Sequence, residues 1–181
     1  MSGDRPRQPG VVGPGTAVGV AWLVSLGFDL FLHAGALAAL YARPSPFLLP
    51  AGTAFRRIPL GYGSFLILTA ALWWLFRQVG IRDWFAGLRL GFLTGLILWG
   101  AWTLGLYSIS VAEGDLLVGW WLGQGAETGL AGAFLGAAAS GMERRRYVIK
   151  AAVVAGGLVV VTVALQVMGL APAMKTVGGS P

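Results

Sequence analysis

Five long apolar runs, separated only by short charged or proline-bearing punctuation, dominate this 181-residue chain. They span residues 16–41, 58–76, 84–110, 116–140 and 147–170. A hydrocarbon core ~30 Å thick is crossed by about 20 apolar residues wound as a helix. In lipid, such a helix satisfies its own backbone groups, so each run predicts a transmembrane helix. The punctuation agrees: Arg43, Pro44 and Pro46 follow the first run, Pro59 opens the second, and Arg82 with Asp83 precedes the third. Glu113, Gly114 and Asp115 divide the third run from the fourth; Glu143, Arg144, Arg145 and Arg146 divide the fourth from the fifth. The fold expected is an all-α integral membrane protein, a bundle of five transmembrane helices over residues 16–170. Residues 1–15 and 171–181, rich in Gly and Pro, are expected to be flexible tails.

Charged residues make up 11% of the chain, against roughly 25% in a soluble domain. Cysteine is absent, which excludes disulfides, thiol catalysis, Fe–S clusters and cysteine-bound zinc. The formal charge is +6, but the arginines lie between apolar runs, where they report topology and not nucleic-acid binding. Arg5 and Arg7 ahead of an apolar run have the look of a signal peptide. That run, about 26 residues, exceeds the ~7–15 of a signal core and carries Asp29 and His33, so a retained helix is expected.

Orientation follows from the basic residues. With the amino terminus cytoplasmic, the inner segments hold nine Lys and Arg, including Arg77, Arg82, Arg89 and Lys150. The outer segments hold four: Arg43, Arg56, Arg57 and Lys175. The excess inside predicts a cytoplasmic amino terminus and an outer carboxyl terminus in a multi-pass protein of the cell's inner (plasma) membrane. Arg144, Arg145 and Arg146 are then expected against anionic headgroups. All four tyrosines fall near predicted helix ends, as an interfacial aromatic belt requires. The longest connection, 42–57, is apolar as well as proline-rich. It is expected to dip into the outer interface or fold back over the bundle mouth.

Two stripes of glycine mark packing faces. Gly87, Gly91 and Gly95 recur every four residues along the third run; Gly125, Gly129, Gly132 and Gly136 share one face of the fourth. Small residues at such spacing let two helix backbones touch, either within the bundle or against another membrane subunit.

The remaining signal is polar. Asp29 and His33 are i,i+4 in the first run, and Gln124, Glu127 and Thr128 share a face of the fourth. A carboxylate at the bilayer centre costs about 3 kcal/mol on insertion scales and faces a bundle interior or a wet cavity. Counted from the outer helix ends, Asp29 and Glu127 fall at one depth, and His33 and Gln124 at a second about 6 Å further out. Trp99 and Trp102 of the third run lie near the same levels. If the first and fourth helices are neighbours, these residues form one cluster walled by tryptophan. Three readings of the cluster follow: a network that fixes helix register, a site for a proton or small polar ligand, and, least favoured, a metal-centred pigment on His33. No cofactor and no metal are predicted.

Phosphate-binding loops, zinc pairs, a water-facing catalytic triad and dinucleotide fingerprints are all missing from the sequence, so no enzymatic activity is expected. The reading that follows is an accessory or structural component, placed within a larger membrane assembly, with lipid and other membrane subunits as partners. The alternative is a small-molecule-binding or proton-coupled carrier built on the Asp/His/Glu cluster.

Overall fold

A computed structural model describes residues 10–172; the outer parts of both predicted tails, with Arg5, Arg7 and Lys175, lie outside the described residues. The described residues are mostly helical. The first run forms α1 (Pro14–Phe31), a π-helical segment (Leu32–Ala36) and the short α2 (Ala38–Tyr41). Helices α3 (Ala51–Val79), α4 (Trp84–Ile109), α5 (Gly114–Ala139) and α6 (Arg144–Val167) follow. Among the described residues, four helices are long and apolar enough to cross a membrane: α1 with the π segment, α3, α4 and α6. Helix α5 is as long as α4 but less apolar, being rich in Gly and Ala and carrying Gln124 and Glu127.

Local chemistry sets the helix ends. Pro14 starts α1 at a position where its missing N–H costs nothing. Asp83 caps α4, its Oδ1 accepting from the N–H groups of Phe85 and Ala86 at 2.9 Å each. Gly80, at φ 78°, ends α3 in the left-handed region and donates back to Phe76 O. The second run begins earlier than its sequence suggests. Pro59 sits inside α3, and helix begins at Ala51 beyond Pro50, whose carbonyl takes the first turn's N–H groups. A proline there forgoes one backbone bond, and the apolar series Phe55, Ile58 and Leu60 continues through it. The connection is therefore 42–50 and not 42–57.

Helices α6, α1, α5 and α4 stand side by side in that order, and α3 lies in the groove between α1 and α5. At one end the amino-terminal segment pairs Val11 with Glu143, Arg144 N donates to Gly10 O at 2.8 Å, and Val12 is buried. Residues 10–13 are thus held and do not belong to a loose tail. The main apolar cluster sits at this end, joining Ala17 and Ala21 of α1, Leu72 and Phe76 of α3, Leu135 of α5 and Tyr147 of α6. Tyr147 is fully buried and donates to Ala17 O at 3.1 Å, so it is not a belt residue. Tyr62 also leaves the predicted belt, because the earlier start of α3 moves it well inside the helix.

The outer surface carries large apolar side chains in numbers that water does not tolerate. Ile67 and Trp74 on α3, Ile97 and Leu104 on α4, and Val153 and Val160 on α6 are all exposed. With four candidate spans behind them, these surfaces meet lipid.

Candidate functional site

Helix α5 brings both of its predicted features into contact with other helices. Its glycine face lies on the glycine face of α4. A Cβ built on Gly91 would stand 2.5 Å from Thr128 O, and one on Gly95 would stand 2.9 Å from Gly125 Cα. Gly87 meets Gly132 and Gly136, and Gly129 meets Phe92. The two stripes seal one internal seam and are not available to another subunit.

The opposite side of α5 meets α1, and Asp29, His33, Gln124 and Glu127 come together there. His33 Nε2 lies 3.1 Å from Asp29 Oδ1 and 3.4 Å from Gln124 Nε2. Its Nδ1 is 2.5 Å from the Tyr41 hydroxyl, which also accepts a hydrogen bond from Trp120 Nε1. Phe47, from the 42–50 connection, packs on Trp120 with ring centroids 6.0 Å apart, so the loop covers this end of the cluster. An indole N–H can only donate, which fixes the direction of the chain at one end. With the ring proton on Nε2, His33 donates to Asp29 and its Nδ1 accepts from Tyr41; with the proton on Nδ1, His33 donates to Tyr41 instead. Both ring nitrogens have side-chain partners within hydrogen-bond reach.

The backbone under His33 is unusual. The π segment closes with Leu37 N donating to Leu32 O, five residues back, and such widened turns recur at functional sites. Gln166 of α6 stabilises it by donating to Ala34 O at 2.9 Å. Gly35 lets Leu165 and Thr162 of α6 approach the turn closely.

Not every polar group is matched. Among the described residues, three buried side-chain atoms lack a hydrogen-bond partner: Glu127 Oε2, Gln124 Oε1 and Trp99 Nε1. Leaving one such atom unsatisfied costs about 1–3 kcal/mol. Glu127 is 2% exposed and borders a cavity of about 10 Å³ between α1, α3 and α5, shared with Ser25, Thr69 and Thr128. Thr128 is buried and bonds Gln124 O at 2.7 Å.

Trp102 does not wall the cluster: it is 61% exposed. The buried positions of α4 are Gly87, Gly91, Gly95 and Thr103. That four-residue ridge turns about the axis by roughly 40° per step, so the contact face has left Trp102 behind at its level. Arg144, Arg145 and Arg146 are exposed at the start of α6, with Arg146 Nε 3.4 Å from Glu143 Oε2. At the opposite end, Arg43 bridges to Asp115 at 2.6 Å and to Glu113 at 3.8 Å. The Arg43 hydrogen bond holds the Asp115 carboxyl below the ordinary carboxylate range.

Sequence reasoning missed Tyr41, Trp120, Ser25, Thr69 and the π turn. Two of these had a signal: Ser25 precedes Asp29 by four residues and Trp120 precedes Gln124 by four, each on the face already marked. Comparison with protein-family models, curated proteins and solved structures finds no match to this chain.

Proposed function

We propose that this chain is a five-span protein of the inner membrane, amino terminus cytoplasmic and carboxyl terminus outside, that takes up a proton or small polar ligand at the Asp29–His33–Glu127 cluster. The observation carrying this reading is the set of unpartnered buried atoms beside a relay that is otherwise connected. A network kept only for helix register has no reason to bury Glu127 Oε2 and Gln124 Oε1 unmatched. The fifth span is inferred for α5 because it runs antiparallel along α4 from the Gly87–Gly136 contact to the Gly100–Trp121 contact. Neighbours on both flanks shield its polar residues from lipid. The chain supplies binding and proton exchange, and no catalytic reaction is assigned to it.

Infrared difference spectra of the protein in lipid, between about pH 5 and pH 8, test this. A carboxylic-acid band that changes with pH, and is removed by Asp29→Asn or Glu127→Gln, is the expected result. A spectrum with no carboxyl change in that window overturns it. Reporters fused after Pro181 and within residues 143–146 are expected to read outside and cytoplasm respectively; the reverse at both positions overturns the orientation.

A second reading, an accessory component of a larger membrane assembly, is favoured by one observation. The His33 and Asp29 side chains are 30% and 15% exposed at a depth where lipid does not serve them, and a helix of another subunit would cover that flank. Copurification of a stoichiometric membrane partner after mild detergent extraction, lost on substitution at this flank, would support it.

A further inference from the structure

The cavity beside Glu127 differs from the relay in one chemical respect: two of the hydroxyls on its wall have already committed their protons elsewhere. Thr69 Oγ1 donates to Phe65 O and Thr128 Oγ1 donates to Gln124 O, each at 2.7 Å. With those protons committed to their own helices, the two hydroxyls can turn only lone pairs toward the cavity. Ser25 of α1 adds a third hydroxyl oxygen to the wall. Glu127 contributes a carboxylate oxygen with no partner. The rest of the lining, including Phe65 and Leu72, is apolar.

The Gln124 side chain hydrogen-bonds the Glu127 carboxyl but leaves Oε2 without a partner, and a buried oxygen of this kind is stabilised by a positive charge, either a proton of its own or a cation. The cavity, about 10 Å³, is of the order a single water occupies, which matches a small dehydrated ion better than a large one. One carboxylate and several neutral oxygens are the ligands of a hard cation. Among the described residues, no group of three His, Cys, Asp or Glu is placed to hold a metal ion, so a transition metal does not fit this donor set. We propose that Glu127, with Ser25, Thr69 and Thr128, forms a site for one sodium ion that competes with a proton for the same carboxylate. This rests on the reading that Glu127 is an exchangeable site and names the second ion exchanged.

The titratable group acting on Glu127 is Asp29 on α1, which itself pairs with His33 of α1 and reaches Tyr62 on α3. At this level α4 presents glycine backbone and the side chains of Phe92 and Leu96. Asp29 adds negative charge nearby, so its ionisation strengthens cation binding.

The test is thermal unfolding of the full chain in detergent, in sodium, potassium and choline chloride at equal ionic strength and at two pH values. The expected result is a midpoint that rises with sodium alone, as for any ligand bound only by the folded state, and rises less at the lower pH. Glu127→Gln should fold and lose the sodium response. Thr69→Val, which keeps the shape and removes one ligand oxygen, should raise the sodium concentration needed about tenfold, a loss of about 1.4 kcal/mol. Identical midpoints in the three salts at both pH values overturn the proposal, as does a sodium response unchanged in Thr69→Val. A carboxyl that titrates in the infrared without any sodium response overturns the sodium site and leaves the proton reading standing.

Discussion

The two sides of α5 are built by opposite rules. Toward α4 the helix is reduced to glycine, and backbone touches backbone from Gly87 to Gly95 with no polar side chain in the seam except Thr128. Toward α1 and α3 it carries Gln124, Glu127 and Trp120, a relay through His33, a small cavity and unpartnered atoms. The first face gains dispersion contacts that lipid cannot match. The second retains groups that cost stability. One helix thus separates a close-packed seam from the polar cluster on which the proposed function rests. The difference predicts that substitutions on the two faces fail in different ways.

The largest effect is expected at the seam. Gly91→Leu must displace Thr128 O and the Cα atoms of Gly129 and Gly132, none of which is a flexible side-chain end. Overpacking of this kind costs about 3 kcal/mol or more, and Gly129→Leu, against Phe92, should behave alike. Both should lower the thermal midpoint in detergent while the pH response of whatever protein remains folded is unchanged. If both fold with native midpoints, the seam is not the rigid half of the comparison.

The polar face should show the reverse pattern. Asp29→Asn keeps hydrogen-bonding capacity and should unfold near the parent midpoint, yet abolish the proton step. Asp29→Ala should lose about 1–3 kcal/mol because His33 then lacks a partner. Tyr41→Phe strands both Trp120 Nε1 and His33 Nδ1 and should cost a similar amount. Destabilisation by Asp29→Asn as large as by Asp29→Ala, with the infrared titration intact, would make the cluster structural and erase the contrast between the faces.

How far the sequence carried this picture also divides along α5. The helices fall where the apolar runs lie, because run length against bilayer thickness is a one-dimensional property. Because rise per residue is constant, the sequence could also set His33 beside the level of Gln124, and the two meet at 3.4 Å. Rotation was not readable. Which of Trp99 and Trp102 faces inward depends on the crossing of α4 over α5, set by glycines on both helices at once. The π turn was hidden for a similar reason. It depends on Gln166 reaching Ala34 O from α6, more than a hundred residues along the chain. Pro59 misled in the opposite direction, because a single lost backbone bond does not end a helix whose neighbouring turns are good.

A smaller effect is expected from that turn. Gln166→Leu keeps the bulk and removes the donor to Ala34 O, a loss of about 1 kcal/mol. Amide exchange should quicken from Leu37 to Leu40, and the geometry holding His33 against Tyr41 should loosen. A wild-type exchange pattern would mean that Gly35 packing, and not Gln166, sustains the π segment.

The smallest effect is expected at the end of the bundle where Arg43 ties the 42–50 connection to the start of α5. Both partners of the Arg43–Asp115 pair are about half exposed, so the bond is screened by water and salt. The hydrogen bond from Arg43 is the first cause of the lowered Asp115 value, from an ordinary 3.8. A carboxyl whose folded value lies below its unfolded one stabilises the fold fully above the unfolded value. That contribution is lost as pH falls through the lower, folded value. Wild-type protein should therefore show a component of acid destabilisation below about pH 4 that Asp115→Asn lacks, and high salt should shrink the difference. The change should be small in midpoint but visible in the exposure of Trp120, since releasing Arg43 frees the loop whose Phe47 covers that indole. Parallel pH curves for the two proteins, with equal quenching of tryptophan fluorescence, would show that the loop holds its place over the relay by apolar contact alone.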